Sequence, residues 1–225
     1  MAIVIEPKIN GALLDIYCAK MLDYSVSPVD YDDGYLLPAS SMTPVKLKPK
    51  IGLRTITITL DFEGDTRHEI EMNISKVATV LQDGAELSLP DGFLYTCVYE
   101  KSSNPTEKAP WIMQVKYTLS GFRHGEMHVE TLTKTADIYV EGNYPAEAIY
   151  RISGASGSVT VNGITVKNIS GEVVIDGMKK TVTQNGINKF GDTDMTSFPK
   201  LNIGQQTVQI EGTATVEVSY YPIYR

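Results

Sequence analysis

Residues 53–62 read LRTITITLDF, and the period of that stretch decides the fold class. Ile56, Ile58, Leu60 and Phe62 alternate with Thr55, Thr57, Thr59 and Asp61. Side chains two positions apart share a face of an extended chain, so one face is apolar and the other polar. β-branched residues fill both faces and suit a pleated surface, which predicts a half-buried strand.

Downstream, the period changes. Thr66 and Glu69 have the spacing of a capping box, in which each side chain meets a backbone N–H left open at a helix start. Ile70, Ile74, Val77 and Leu81 then form one apolar stripe, and Asp83-Gly84 stops it, because glycine accepts the positive φ that ends helices. A helix is predicted over about 66–82. Leu87 to Leu89 and Phe93 to Tyr99 read as strands joined by the turn Pro90-Asp91-Gly92. Trp111, Met113, Val115, Tyr117 and Leu119 alternate with polar residues as another half-buried strand, and Met127, Val129 and Thr131 continue the pattern. Upstream, Ile3 to Ile5 and Leu13 to Cys18 are short apolar runs of strand type. Residues 21–50 hold Pro28, Pro38, Pro44 and Pro49 with the acidic Tyr31 to Gly34, which predicts a long irregular arm.

The second half changes character near Gly142-Asn143-Tyr144-Pro145. Val159 and Val161, Asn162-Gly163, then Ile164 and Val166 predict a hairpin on a type I′ turn. Val173 to Ile175, Asp176-Gly177 and Lys180 to Thr183 predict a second, and Asn185-Gly186 marks a further turn. Val208, Ile210, Val216 and Val218 alternate with polar residues around Gly212. Short strands at regular spacing without helical patterns predict an antiparallel sandwich. The fold class is therefore mainly β: an N-terminal β domain with one helix at 1–141, and a C-terminal β-sandwich at 142–225 that folds independently.

Composition excludes several functions. Charge totals −7 over 225 residues. Residues 1–141 carry 20 acidic and 13 basic side chains, while 142–225 carry seven of each. Scattered bases supply no stripe for binding nucleic acid, and the acidic half repels anionic membranes. MAIVIEPKIN lacks the pattern of a signal peptide, and no apolar run approaches the ~20 residues of a membrane span. Cys18 and Cys97 are expected as buried free thiols.

Candidate chemistry is sparse. His124, Glu126, His128 and Glu130 share one face if the segment is extended, but the order is not H-E-x-x-H; a polar, solvated strand face opposite Met127 and Val129 is the stronger reading. Asp30, Asp32, Asp33 and Gly34 lack the ligand spacing of a calcium loop, and Asp192 and Asp194 are weaker still. Gly154 to Ser158 is not G-x-S-x-G, and no helix follows it. Asn73-Ile74-Ser75 and Asn168-Ile169-Ser170 match glycosylation acceptors, without meaning unless the chain is secreted. No catalytic, metal or cofactor residues are assigned, and no enzyme activity is expected.

The order of motifs resembles the distal tail proteins of long-tailed, siphovirus-type phages, which also occur in prophages and tail-like particles. Arg54 through the helix to Leu87-Ser88-Leu89-Pro90-Asp91-Gly92 is similar to the family's strand, helix and L-x-L-P-D-G. Gly142 to Ala146 is similar to the entry into its C-terminal domain. Gly163 to Gly186 is similar to its hairpins, and Phe198-Pro199-Lys200-Leu201 with Gly204 to its F-P-x-L-x-x-G segment. The resemblance implies an N-terminal domain that assembles six copies into a ring on the tail tube. It also implies a galectin-like C-terminal sandwich, and a hub joining the tube to the tail tip or receptor-binding protein. The location would be the distal end of the virion tail, after assembly in the host cytoplasm. Ile3, Ile5, Leu36 and Leu37 are candidates for contacts between neighbours. Genomic DNA would pass the opening without specific binding, with Glu63, Asp65, Asp83 and Glu86 as candidate channel-lining residues. The alternative is a carbohydrate-binding sandwich module. Against it, residues 142–225 contain no Trp and no His, leaving Tyr150, Tyr220, Tyr221 and Tyr224 as possible platforms.

Overall fold

A computed structural model describes residues 6–29, 31–32, 35–36, 43, 45–46 and 50–225. The chain divides into two compact units, and the division falls between Arg123 and His124, with Arg225 assigned to the first. All strand pairings that carry the two units are antiparallel.

In the first unit, β1 (Lys8–Ile9) and β2 (Ala12–Leu13) form a short hairpin. A single 3-10 turn, Leu14–Tyr17, follows and ends on Cys18 at φ 48°. The strand expected over Leu13 to Cys18 is thus a turn, with only Leu14 buried. β3 (Ala19–Val26) then pairs along β8 (Arg54–Glu63). Irregular structure was the expectation from residue 21, but the prolines begin only at Pro28, so nothing prevents a strand before it. Beyond Val26, the arm carries two short backbone pairings: β4 (Tyr31–Asp32) with β7 (Lys50–Ile51), and β5 (Tyr35–Leu36) with β6 (Val45–Lys46).

The decisive stretch is β8. Ile56, Ile58, Leu60 and Phe62 are fully buried and face Leu119, Tyr117, Val115 and Met113 of β12 (Ile112–His124). The helix α1 (Arg67–Gln82) covers this sheet with Ile70, Val77 and Leu81. Its cap forms as spacing predicts, with one shift of register. Glu69 N–H donates to Thr66 Oγ1 at 3.2 Å, but Glu69 Oε2 accepts from the N–H of Asp65, at 3.0 Å, one residue before the cap. Beyond the helix, β9 (Ala85–Ser88) and β10 (Leu94–Ser102) form a hairpin closed by Asp91. The Asp91 carboxylate accepts from Phe93 N–H at 3.1 Å and from the Tyr95 hydroxyl at 2.5 Å. β11 (Thr106–Ala109) turns back onto β12. The resulting sheet order is β2-β1-β9-β10-β12-β8-β3. Trp111, expected on the buried face of this strand, precedes it and is 59% exposed.

The second unit begins earlier than the composition shift at Gly142. β13 (His128–Leu132) pairs with β24 (Thr215–Tyr220), and β14 (Ala136–Val140) pairs with β22 (Gly204–Val208). The main sheet inserts β15 (Ala146–Ser153), β18 (Val173–Asp176), β19 (Thr181–Gln184) and β20 (Ile187–Asn188), in the order β13-β24-β15-β18-β19-β20. β21 (Lys200–Leu201) adds to β15. A second layer orders β17 (Ile164–Ile169), β16 (Gly157–Val161) and β23 (Ile210–Glu211). Between them lies one core that includes Ile138, Val140, Tyr150, Val161, Ile175, Val208 and Val218.

The turns follow their dipeptides. Asn162-Gly163 and Asn185-Gly186 each place both residues at positive φ, as a type I′ turn requires. Asp176-Gly177 instead opens a four-residue loop, because Asp176 pairs with Thr181 and its carboxylate accepts from the N–H groups of Met178 and Lys179.

Candidate functional site

The histidine segment is not one polar strand face. His124 ends β12 and His128 opens β13, with Gly125 to Met127 outside either strand. His124 is 1% exposed, its ring edge-on to Tyr221 at 4.9 Å and its Nδ1 2.8 Å from Gly125 O. His128 stacks on Tyr220 and lies 3.4 Å from Glu141 Oε2. Met127 and Val129, expected inside, are exposed. The alternation failed because the break at 125–127 resets which side faces the core. Among the described residues, no group of three or more His, Cys, Asp or Glu side chains is arranged to hold a metal ion.

The remaining candidates scatter. Asp192 bonds Lys189 and Asn168, and Asp194 accepts from Thr165 N–H at 2.7 Å; those hydrogen bonds hold both carboxyls below their usual range. Both serve to pin the loop around Phe190–Asp192 rather than to gather a ligand. Asn73 is buried in the helix, so its acceptor motif is closed to modification in the folded unit. Cys18 is exposed, against expectation, while Cys97 is buried and burial pushes its thiol pKa up to about 12. Of the neighbour-contact candidates, Ile3, Ile5 and Leu37 lie outside the described residues, and Leu36 is placed as backbone only, in β5. Asp30, Asp33 and Gly34 also lie outside them.

The four channel candidates form two separate pairs. Glu63 and Asp65 flank the start of α1, whereas Asp83 and Glu86 follow its end. A helix of 16 residues separates its ends by about 24 Å. Glu63 and Asp65 help line an open groove of about 670 Å³ that also includes Asp15, Glu69, Lys20 and the exposed Trp111. Glu86 instead lies opposite Thr96, with its backbone bonded twice to Asn10.

A second cleft, of about 570 Å³, lies in the sandwich between Tyr150, Asn162, Ile164, Lys180, Lys200 and the segment Ser197 to Pro199. Tyr150, from β15, is buried, and burial raises its pKa against the lowering effect of the Asn162 hydrogen bond. Its oxygen accepts from Asn162 Nδ2 at 2.9 Å. Asn162 is held in turn by Gln209 N–H on its Oδ1, at 2.8 Å. Lys180 Nζ donates to Gly177 O and, at 2.5 Å, to Glu147, and stands 5.6 Å from the Phe198 ring centroid. Sequence reading noted Tyr150 only as a stacking platform, and its burial rules that out; so does the burial of Tyr220. The cleft is not legible in the sequence, because its residues come from four separate stretches and Phe198 stands out there only within the F-P-x-L-x-x-G segment.

Two successive antiparallel β units, the first braced by a helix and the second a sandwich, define a mainly β architecture without an evident catalytic constellation among the described residues. Solved phage tail and baseplate proteins share that architecture. The chain shares its fold with the SPP1 Dit protein (gp 19.1), described as a paradigm of the hub adsorption apparatus in Gram-positive infecting phages. Identity is 14% and the TM-score 0.71, covering 96% of this chain and 98% of that one. The phage P2 baseplate in its activated conformation matches with TM-scores of 0.59 with Ca and 0.58 with Sr, each at 10% identity over 91% of this chain and 90% of the other. Residues 168–224 match the family model for the siphovirus-type tail component, C-terminal domain. No protein of curated function matches the sequence.

Proposed function

We propose that the chain is a structural hub subunit at the distal end of a phage tail, with no catalytic role of its own. Copies assemble into a ring, a hexamer, that joins the tail tube above to the tail tip or receptor-binding apparatus below. The observation that carries this reading is the full-length match in fold to a hub protein, which extends over both units and nearly all of both chains. The independent match of residues 168–224 to a tail-component family supports it from sequence.

In this reading Ile3, Ile5, Leu36 and Leu37 supply contacts between neighbours, since they are apolar residues flanking a polar arm. Glu63 and Asp65, with Asp83 and Glu86 as a second level, face the opening and keep DNA from binding as it passes. A ring requires a head-to-tail interface that closes by rotation. Negative-stain microscopy and native mass spectrometry of the full chain, alone and with purified tail tubes, test the proposal. Rings of six copies, free or seated on tube ends, are expected. A chain that stays monomeric at high concentration and does not bind the tubes would overturn it.

A further inference from the structure

We propose that the cleft of the sandwich unit binds a sugar ring carrying an oxyanion, a uronate or a sugar phosphate, with Tyr150, Lys200 and Phe198 as its recognition residues. Among the described residues, Tyr150 has Asn162 as its one hydrogen-bond partner, and in that bond its oxygen is the acceptor. A phenol also donates, so its hydroxyl hydrogen is left for an acceptor in the cleft that it lines. Burial raises the pKa of Tyr150, so the phenol stays protonated, as a donor, throughout the physiological range.

The rest of the lining is also rich in donors. Lys200 and Ser197 are exposed along the rim, and Lys180 uses two of its three N–H donors on Glu147 and Gly177. No carboxylate lines the cleft. Glu147 bonds Lys180 and lies opposite Lys200 in the β15–β21 pairing, so the two lysines and one carboxylate leave a net charge of +1. Donors from Tyr150, Lys180 and Lys200 with a net positive charge select a ligand that accepts hydrogen bonds and carries negative charge.

Phe198 supplies what a simple ion would not use. Its ring is half-buried, packed against the sandwich core and tilted against Phe190 at 6.1 Å. The ring and Ile164 give the cleft an apolar wall for the C–H groups of a pyranose, at the part of the ring that Lys180 Nζ, 5.6 Å from its centroid, leaves uncovered. The volume, about 570 Å³, falls in the range of small-molecule sites, roughly 300–1,000 Å³. The cleft uses neither Trp nor His, the residue types whose absence from residues 142–225 argues against a galectin-type sugar site. The inference stands apart from the hub reading, since it needs no ring.

Titration of the full-length chain by NMR and calorimetry with glucuronate, glucose 6-phosphate, glucose and inorganic phosphate tests the proposal. At least one of the two anionic sugars is expected to saturate with a millimolar dissociation constant, and which one does so separates carboxylate from phosphate recognition. Glucose and inorganic phosphate should each bind about tenfold more weakly or worse, the effect of removing one charge-assisted contact. Lys200→Ala should weaken the anionic sugar about tenfold while leaving the melting temperature unchanged, because the exposed ammonium has no bonded partner. Lys116→Ala, in the first unit, should change nothing. Equal binding of glucose and the anionic sugars would overturn the proposal, as would equal binding of phosphate and glucose 6-phosphate, no binding of either sugar anion, or indifference to Lys200→Ala.

Discussion

Cutting the chain at the composition shift should leave the sandwich unable to fold, whereas cutting it between the units should not. A fragment of residues 142–225 lacks β13 and β14. It thereby loses Ile138 and Val140, which are 3% and 1% exposed in the sandwich core. Burying each such side chain contributes about 1.5–3 kcal/mol, or about 3–6 kcal/mol for the pair. The Tyr220 hydroxyl loses both its acceptor, Tyr139 O, and the donor Glu141 N–H, at about 1 kcal/mol each. β22 also loses the strand it pairs with, Ala136 to Val140 against Gly204 to Val208. A domain of about 100 residues has some 5–15 kcal/mol in total, so these terms alone consume at least about a third of it, before the lost strand pairings are counted. Calorimetry and near-ultraviolet circular dichroism on fragments 124–224 and 142–225 make the comparison. The longer fragment should melt in one cooperative transition; the shorter should bind hydrophobic dye and show none. Cooperative melting of 142–225 within a few degrees of the longer fragment would refute the reasoning. So would failure of 124–224 to fold.

Gly121→Ala should destabilise the first unit at or above the upper end of the ~1–3 kcal/mol typical of overpacking, because an added Cβ would stand 2.4 Å from Thr96 O and 2.7 Å from Cys97 Cβ. Gly191→Ala, where nothing lies within 4 Å, is the control and should stay within about 0.5 kcal/mol in chemical denaturation. Thr66→Ala removes the helix cap and should cost about 1 kcal/mol, read as a melting temperature lower by roughly 4 °C; no shift would mean that the Glu69 bond to Asp65 suffices. A thiol reagent at pH 8 should label the exposed Cys18 promptly and Cys97 only after unfolding. With a pKa pushed up to about 12, Cys97 holds about one thiolate per ten thousand molecules at that pH, and its native labelling should rise only as pH approaches that value. Prompt labelling of both, or of neither, would contradict the burial pattern.

What the sequence made legible was local. The Ile56 to Phe62 alternation, the Thr66–Glu69 cap and the two Asn-Gly turns each depend on residues within a few positions of one another, and each formed. Fold class followed from them. Pairing partners were not legible, since β14 meets β22 some 70 positions away, as in Asp137 bonding Thr207 Oγ1 and Gln205 Nε2, and alternation says which face is buried but not against what. The same limit moved the domain boundary, because β13 and β14 carry first-half composition into the second unit. It also hid the cleft, where Tyr150, Asn162, Lys180 and Phe198 converge only after four strands have paired.

The boundary changes the electrostatic argument as well. Divided at Gly142, the net charge of −7 lies wholly in the first part, but divided at Arg123 it does not: residues 1–123 carry 16 acidic and 12 basic side chains, and 124–225 carry 11 and 8. With Arg225 counted in the first unit, both units are then mildly acidic, at −3 and −4, and net charge no longer singles out a surface that a passing duplex should meet. Local density takes its place. Screening at physiological salt has a length of about 8 Å, so carboxylates at opposite ends of α1, about 24 Å apart, do not reinforce one another. Asp15, Glu63, Asp65 and Glu69 share one groove with Lys20 as the single base, while Asp83 and Glu86 stand at the far end. In the ring proposed above, the first set would repeat as four carboxylates per copy and the second as two. DNA is repelled by the density at the level it is crossing, so the N-terminal end of the helix, rather than the acidity of a domain, is where the hub reading puts the barrier to sticking.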